Sequence, residues 1–372
     1  YDFGVRAITT DQIVAGQNSI PDPRDADPDG NGPLTGCPGT GNVHDGGCYP
    51  NIVAFSYSTV HYKDYLPSAN LALNITDAFI ARLAASTTMT RPNPSSLLPG
   101  LGFGDPSAAQ GTLGNASLTP FISKNVDFGL EYYTGQEGYL SLAAFNKRMT
   151  GFTLNQNITH PFSDLAQYGV TFDTLNQTQQ AAILARCNCT SANTAAVNAQ
   201  TVILSQPVNA SGILTINGLE AAWVQPLGQW MSALDGFGYS ANYTYIKQKG
   251  SGAAPAIALG VPKTTWNFTA FYEKNGWSVR LSDTYRDGSQ ATLPNQNGIT
   301  LASLFNESYE QMDFSASVNL KQAFGLSRDI EVTLNGTNLG NATMTQNFQF
   351  DGAPNWYYKP GTTWSIGVRG KF

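Results

Sequence analysis

Charge is the first thing this chain is short of. Asp, Glu, Lys and Arg supply 12% of its 372 residues, whereas an ordinary soluble domain carries about 25% and a water-facing surface about 25–35%. Long apolar runs are missing as well. No stretch approaches the roughly 20 residues a membrane helix needs, and mean hydropathy is −0.20. There are only four Cys and three His, and they form no metal cluster of recognisable spacing. No glycine-rich phosphate loop is present either. Twenty Lys and Arg stand against 26 Asp and Glu for a formal charge of −6. With no basic run in the sequence, nucleic acid is excluded as an expected partner. The opening Tyr1 to Arg6 lacks Met, a basic segment and an apolar segment, so residue 1 reads as an interior position of a longer chain.

What is present is alternation. Aromatics make up 11% of the chain, with 37 Gly and 20 Pro. Phe237, Tyr239, Ala241, Tyr243 and Tyr245 alternate with Gly238, Ser240, Asn242 and Thr244. Met312, Phe314, Ala316, Val318 and Leu320 alternate in the same way with Asp313, Ser315, Ser317 and Asn319. Ile330, Val332 and Leu334 repeat the pattern, and so do Trp364, Ile366 and Val368. A period of two places each set on one side of a sheet. Strands are expected near 1–10, 58–75, 78–90, 123–134, 137–151, 212–226, 234–248, 263–273, 276–287, 309–321, 329–340 and 361–372.

The connections between these strands alternate between long and short. A soluble β-sandwich gives no reason for every long loop to lie at one end. A transmembrane antiparallel up-and-down β-barrel does, with short periplasmic turns and long extracellular loops. Such a barrel needs only about 9–11 residues per strand, every second one apolar. It must be closed, because an open edge in lipid leaves backbone groups unpaired. Tyr132, Tyr139, Tyr245, Trp266, Trp277, Tyr285 and Trp364 near strand ends suit interfacial girdles. The fold class is therefore all-β, a barrel in the outer membrane with a periplasmic C-terminus.

Several segments, taken in order, resemble the C-terminal part of a TonB-dependent outer-membrane receptor. They are YLPSANL from Tyr65, RLAASTTMTRP from Arg82, GNASLTP from Gly114, NVDFGLEYY from Asn125, AFNK from Ala144, INGLE from Ile216, NLGN from Asn338, and the close from Pro360 to Phe372. The wording is similar to a branch abundant in Caulobacter-like, sphingomonad and xanthomonad bacteria, some of whose members are associated with carbohydrate uptake and others with iron chelates. The resemblance implies about 12 C-terminal strands of a barrel of about 22 with a plugged lumen. The plug domain is expected N-terminal to residues 1–372. It also implies outer-membrane lipids, the TonB complex (through the plug region) and the barrel assembly machinery as partners. Import of a small-molecule, siderophore-iron or oligosaccharide ligand follows from the same likeness. The terminal Phe372 resembles an assembly signal. A complete small barrel acting as a pore or scaffold is the alternative, and an outer-membrane enzyme using His61 with Ser56, Ser58 or Thr59 is a third.

Recognition is expected on the long loops. Phe348, Asp351, Asn355, Trp356, Tyr357 and Tyr358 combine aromatic faces with amide and carboxylate edges, which suits sugar rings or flat chelates. The same aromatics equally suit an outer girdle. Asp127, Glu131, Arg280 and Arg286 are read as inward residues that contact a plug or line the lumen. No cofactor is expected, apart from a calcium ion at Asp25, Asp27 and Asp29. These match the front of a calcium loop but lack its closing Glu, since Gly36 stands there, and a solvated acidic turn is the simpler account. Cys37 with Cys48, and Cys187 with Cys189, read as two local disulfides in an oxidising compartment. The Cys-Asn-Cys follows a short helix expected over 178–186.

Overall fold

The alternating segments come together as one twelve-stranded antiparallel sheet. In the computed structural model, residues 1–20, 52–135, 137–190, 195–252, 257–292, 302–350 and 352–371 are described. The wall strands are β1 (Asp2–Ile20), β2 (Ile52–Asn74), β3 (Phe79–Thr90), β4 (Phe121–Tyr133), β5 (Tyr139–Thr150) and β6 (Ile213–Pro226). They continue as β7 (Phe237–Ser251), β8 (Thr264–Lys274), β9 (Trp277–Arg286), β10 (Tyr309–Asn319), β11 (Asp329–Thr337) and β12 (Thr363–Lys371). Their order in the sheet is their order in the chain, so each connection joins neighbours. Short turns at 75–78, 134–138, 227–236, 275–276 and 320–328 share one end, and the long connections share the other. Asn275 and Gly276 both take positive φ, 52° and 80°, the two-residue turn whose twist matches its flanking strands.

The register shows why the alternation exists. One row across the sheet reads Ala81, Leu130, Leu142, Ala221, Tyr243, Trp266 and Tyr285. A row on the opposite face reads Ile80, Glu131, Ser141, Ala222, Asn242, Asn267, Thr284 and Gln311. The apolar face is not covered by other parts of the chain: Leu142 is 52% exposed and Leu219 57%. Leaving such side chains in water forfeits about 1.5–3 kcal/mol each, so hydrocarbon is their natural surroundings. This outward face ends at the short turns in aromatic pairs, Phe79–Tyr132, Trp223–Tyr239, Phe237–Tyr272 and Trp277–Phe324. Trp266 stacks on Tyr285 toward the long-loop end. Tyr139 departs from the girdle expected of it. It pairs with Tyr133 and bonds the Ser141 hydroxyl on the inward face. Gly336 lies under the Trp364 ring, where an added Cβ would come within 2.7 Å of the indole.

β1 and β2 run beyond their expected bounds of 1–10 and 58–75. Their ladder continues from Asp2↔Asn70 to Ile20↔Ile52. Hydropathic alternation fades after Ile8 although pairing persists, because alternation marks lipid contact rather than hydrogen bonding. β2 pairs with β3 only from Asn74 to Ser68. The next residue, Pro67, has no N–H to give the ladder, and the two strands fork above it. Val14 of β1 is buried there with Leu97, Ala116 and Leu118 of the following long loop. The Gln12 amide donates to the Ala116 carbonyl and the Arg91 guanidinium to the Thr10 hydroxyl.

The best-packed part of the chain lies outside the wall. The connections 91–120 and 151–212 join in a small sheet of Leu101–Gly102, Gln110–Leu113, Thr201–Asn209 and Thr153–Pro161, in which 110–112 runs parallel to 203–205. Its core holds Phe162, Leu165, Ile183, Val197, Val202 and Leu204. A helix covers Gln177–Cys187, opened by a capping box between Asn176 and Gln179. Gln179 also donates to the carbonyls of Phe103 and Asp105. Asp105 organises its turn by accepting from the Ser107 hydroxyl and from the N–H groups of Ser107, Ala109 and Gln110. These bonds, the Ser107 hydroxyl foremost, hold its carboxyl below the usual carboxylate range.

Phe162→Ala should destabilise this loop core by about 3–5 kcal/mol. Limited proteolysis should then cut within 153–209 while the wall keeps its resistance to heat in detergent. Asp105 has a folded pKa below its unfolded value, so its contribution is present above the unfolded pKa and is lost as pH falls through the folded one. Proteolysis of this loop should therefore rise on acidification in the wild type, and Asp105→Asn should be cut faster at neutral pH with a flatter pH response.

Candidate functional site

Two more long connections, 287–308 and 338–362, meet at the same end of the sheet. Four short strands, Ser289–Gln290, Leu304–Asn306, Met344–Phe348 and Pro354–Tyr358, pair in that order. The first three lie next to a cavity of about 570 Å³ lined by residues that include Gln290, Phe305, Asn306, Glu307, Asn347 and Phe348. Gln349, Phe350 and Gly352 complete the side given by the second connection.

A hydrogen-bonded amide network holds the lining in place. Gln346 donates to Asn306 Oδ1 at 2.9 Å, and its Oε1 accepts from Asn355 Nδ2 at 2.8 Å and from the Trp356 indole at 3.1 Å. Asn347 donates to Glu307 Oε1 at 2.8 Å. Gln290 donates to the Thr292 carbonyl at 3.0 Å. Ala302, Ser303 and Leu304, which lead into the lining residue Phe305, are buried. Among the described residues of the lining Glu307 is the one ionisable side chain, and none is Lys or Arg. Amide edges and three phenyl faces can bond hydroxyl groups and cover the apolar face of a ring.

The expected site residues divide. Phe348 lines the cavity. Asn355 and Trp356 support it from behind through Gln346. Tyr357 and Tyr358 are exposed and lie apart from the lining. Asp351 lies outside the described residues, as do Asp25, Asp27 and Asp29, the Cys37–Cys48 pair and Phe372. Cys187 and Cys189 are joined, with Cα atoms 5.2 Å apart, at the end of the 177–187 helix. Among the described residues no three His, Cys, Asp or Glu side chains gather as a metal site. Gln290, Phe305, Asn306, Glu307 and Asn347 were missed by the sequence reading. Only the pairing of two loops brings them together, and no local spacing signals it.

Of the expected inward residues, Glu131 and Arg280 are ion-paired with other inward side chains and Arg286 lies over the Tyr309 ring. Arg82 bonds both oxygens of Glu131, which also accepts from the Tyr133 hydroxyl. Arg280 bonds Glu273, and Arg369 bonds Glu331. His61 Nδ1 lies 2.5 Å from Asp11 Oδ1, with both side chains exposed on the outward side.

Comparison with known proteins agrees with this architecture. The family described as TonB dependent receptor-like, beta-barrel matches residues 34–339. The chain belongs to that family of outer-membrane receptor barrels, and the alternative of an outer-membrane enzyme falls. No curated protein sequence matches the chain. Among solved structures, it is similar to a mutant of the ferric enterobactin receptor of Pseudomonas aeruginosa in complex with enterobactin, with 14% identity and a TM-score of 0.56. That match covers 86% of this chain and 43% of the receptor. The siderophore receptor PirA of Acinetobacter baumannii matches with 14% identity and a TM-score of 0.54, over 86% of this chain and 43% of its own. The ferric citrate transporter FecA in its unliganded form matches with 13% identity and a TM-score of 0.53, over 85% and 39%. The chain thus spans less than half the length of these structures, and the likeness is one of fold.

Gln346→Ala removes the shared acceptor of Asn355 and Trp356. Loss of two bonds worth about 1 kcal/mol each should speed amide exchange in 355–358 by about thirtyfold and leave exchange in β11 unchanged.

Proposed function

We propose that this chain is the C-terminal part of an outer-membrane receptor that imports a scarce ligand by a TonB-energised route. In this reading the long loops face outward, the short turns and C-terminus lie in the periplasm, and the plug and remaining strands belong to a preceding segment. Family membership supports the reading, and so does the row of polar inward side chains beside a lipid-facing apolar row. A passive pore or scaffold made of this chain alone is the weaker reading, because the solved neighbours are about twice its length.

The lining of the cavity points to the class of ligand. Amides from Gln290, Asn306, Asn347 and Gln349 and rings from Phe305, Phe348 and Phe350 surround the space, with one carboxylate and no cation among the described lining residues. An anionic ferric chelate would bring negative charge to Glu307 and find no countercharge. A neutral, hydroxyl-rich ligand such as an oligosaccharide matches the lining, with ring faces on phenyl groups and hydroxyls on amides. The amides and phenyl rings of that lining, with no Lys or Arg among its described residues, are the observation that carries this choice.

Titration of the full-length receptor against neutral oligosaccharides and anionic ferric chelates tests it. An oligosaccharide should bind, and Asn347→Ala with Gln290→Ala should weaken it at least tenfold. Tight binding of a ferric chelate, untouched by the double substitution, would overturn the assignment. Sidedness is checked separately. A cysteine placed at Ser107 should react with an impermeant maleimide on whole cells, and one placed at Asn275 should react only after lysis.

A further inference from the structure

The sequence has no basic run, yet the sheet builds a basic cluster. Lys124 of β4 lies directly opposite Arg148 of β5. Arg148 lies opposite Thr215 of β6, and Thr215 opposite Lys249 of β7. One step lower, Val126, Asn146, Asn217 and Lys247 form the next row. All four cations share the parity of Phe128, Leu219 and Tyr243, so they stand on the outward face. They are exposed, and none has an ion-pair partner among the described residues. Four of the chain's 20 Lys and Arg therefore occupy neighbouring positions on strands about 4.8 Å apart. Like charges placed directly opposite destabilise a sheet pair. An anion held between Lys124 and Arg148 reverses that repulsion.

Below the cluster the wall is hollowed. Ala144 and Ala221 are small where their neighbours Phe128, Leu142, Leu219 and Tyr243 are large, and the result is an apolar groove of about 410 Å³. The groove starts one row beneath Asn146 and Asn217, whose side chains bond each other at 2.6 Å. Two residues along a strand rise about 6.6 Å, so the cations stand roughly 7–13 Å above the groove. Cationic side chains over a hydrocarbon-facing slot complement a molecule with a phosphate head and an acyl tail. The outward face of β9 and β10 carries Asp283 and Glu310 instead.

We propose that the outward face of β4–β7 binds one phosphorylated, acylated lipid of the outer leaflet. Lys124, Arg148 and Lys249 hold the phosphate, Lys247 and the Asn146–Asn217 pair bound the headgroup, and an acyl chain lies in the groove over Ala144 and Ala221. The site rests on the barrel fold and not on the ligand cavity, so ligand import can fail or succeed independently of it.

Native mass spectrometry of the full-length receptor in mild detergent tests the proposal. The probes are a diphosphorylated, multiply acylated glucosamine disaccharide, the same lipid without phosphates, and soluble glucosamine phosphate. The phosphorylated lipid should be retained at least tenfold better than either of the others. Lys124→Gln with Arg148→Gln should lower its retention tenfold or more, with heat-resistant gel mobility unchanged. Ala221→Phe, which fills the groove, should lower lipid retention and leave the weak phosphosugar signal as it was. Lys63→Gln, an outward lysine on β2 away from the groove, should change nothing. Retention unaffected by the double substitution, equal retention of the phosphate-free lipid, or an equal loss with Lys63→Gln would overturn the site. Equal binding of glucosamine phosphate would overturn the lipid and leave only an anion site.

Discussion

A backbone in hydrocarbon has no water with which to bond, and every other feature of this wall depends on that. Each strand must give its N–H and C=O groups to a neighbour, so twelve strands lie side by side in chain order. Side chains are then free to answer two solvents, one per face. The apolar row through Leu142 and Ala221 and the polar row through Ser141 and Ala222 are one residue apart in each strand. A slip of one residue would exchange them, and register is for that reason strongly specified. The shortage of charge has the same origin, since half the wall residues meet lipid and the others pair inward, as Arg82 with Glu131 and Arg369 with Glu331 do.

The sequence is legible wherever lipid imposes the period of two. All twelve wall strands can be placed by alternation, and the connection lengths separate the short-turn end from the long-loop end. Legibility ends where lipid ends. β1 continues ten residues past its expected limit because residues such as Thr9, Thr10, Asp11 and Gln12 hydrogen-bond without alternating. Alternation leaves Thr153–Pro161 and Thr201–Asn209 inside a long connection. They are sheet because they meet each other and a third segment about ninety residues away, and no local pattern encodes that meeting. The candidate site divides in the same way. Phe348 could be named from an aromatic-rich loop, whereas Gln290 and Asn306 belong to a different connection and become lining only through pairing across it.

Two kinds of core therefore coexist. Over most of the wall the large apolar residues look outward, and its inward face holds one small cluster, Leu214 and Ile216 with Phe145, Met149 and Ile246 packed against them. Above it, Phe162, Leu165, Ile183 and their neighbours form a conventional close-packed interior. The loop module can be rigid without help from the bilayer, and recognition surfaces built on a rigid base lose less entropy on binding. The cavity between 287–308 and 338–362 has a smaller foundation, the buried Ala302–Leu304 strip and a set of amides bonded to one another. A ligand that competes for those amides would rearrange this network first.

The fork at Pro67 bears on how the loops and the wall communicate. Above Ser68, the β1–β2 ribbon is released from β3 and is instead braced by Val14, Gln12 and Thr10 against the 91–120 loop. That loop shares its sheet with the 151–212 module through Gln110–Thr112. The ribbon is thus a lever that pivots where it leaves β3, with its long arm resting on the loop module. A shift of the module of a few ångströms would swing the ribbon and leave the hydrogen bonds of the wall intact.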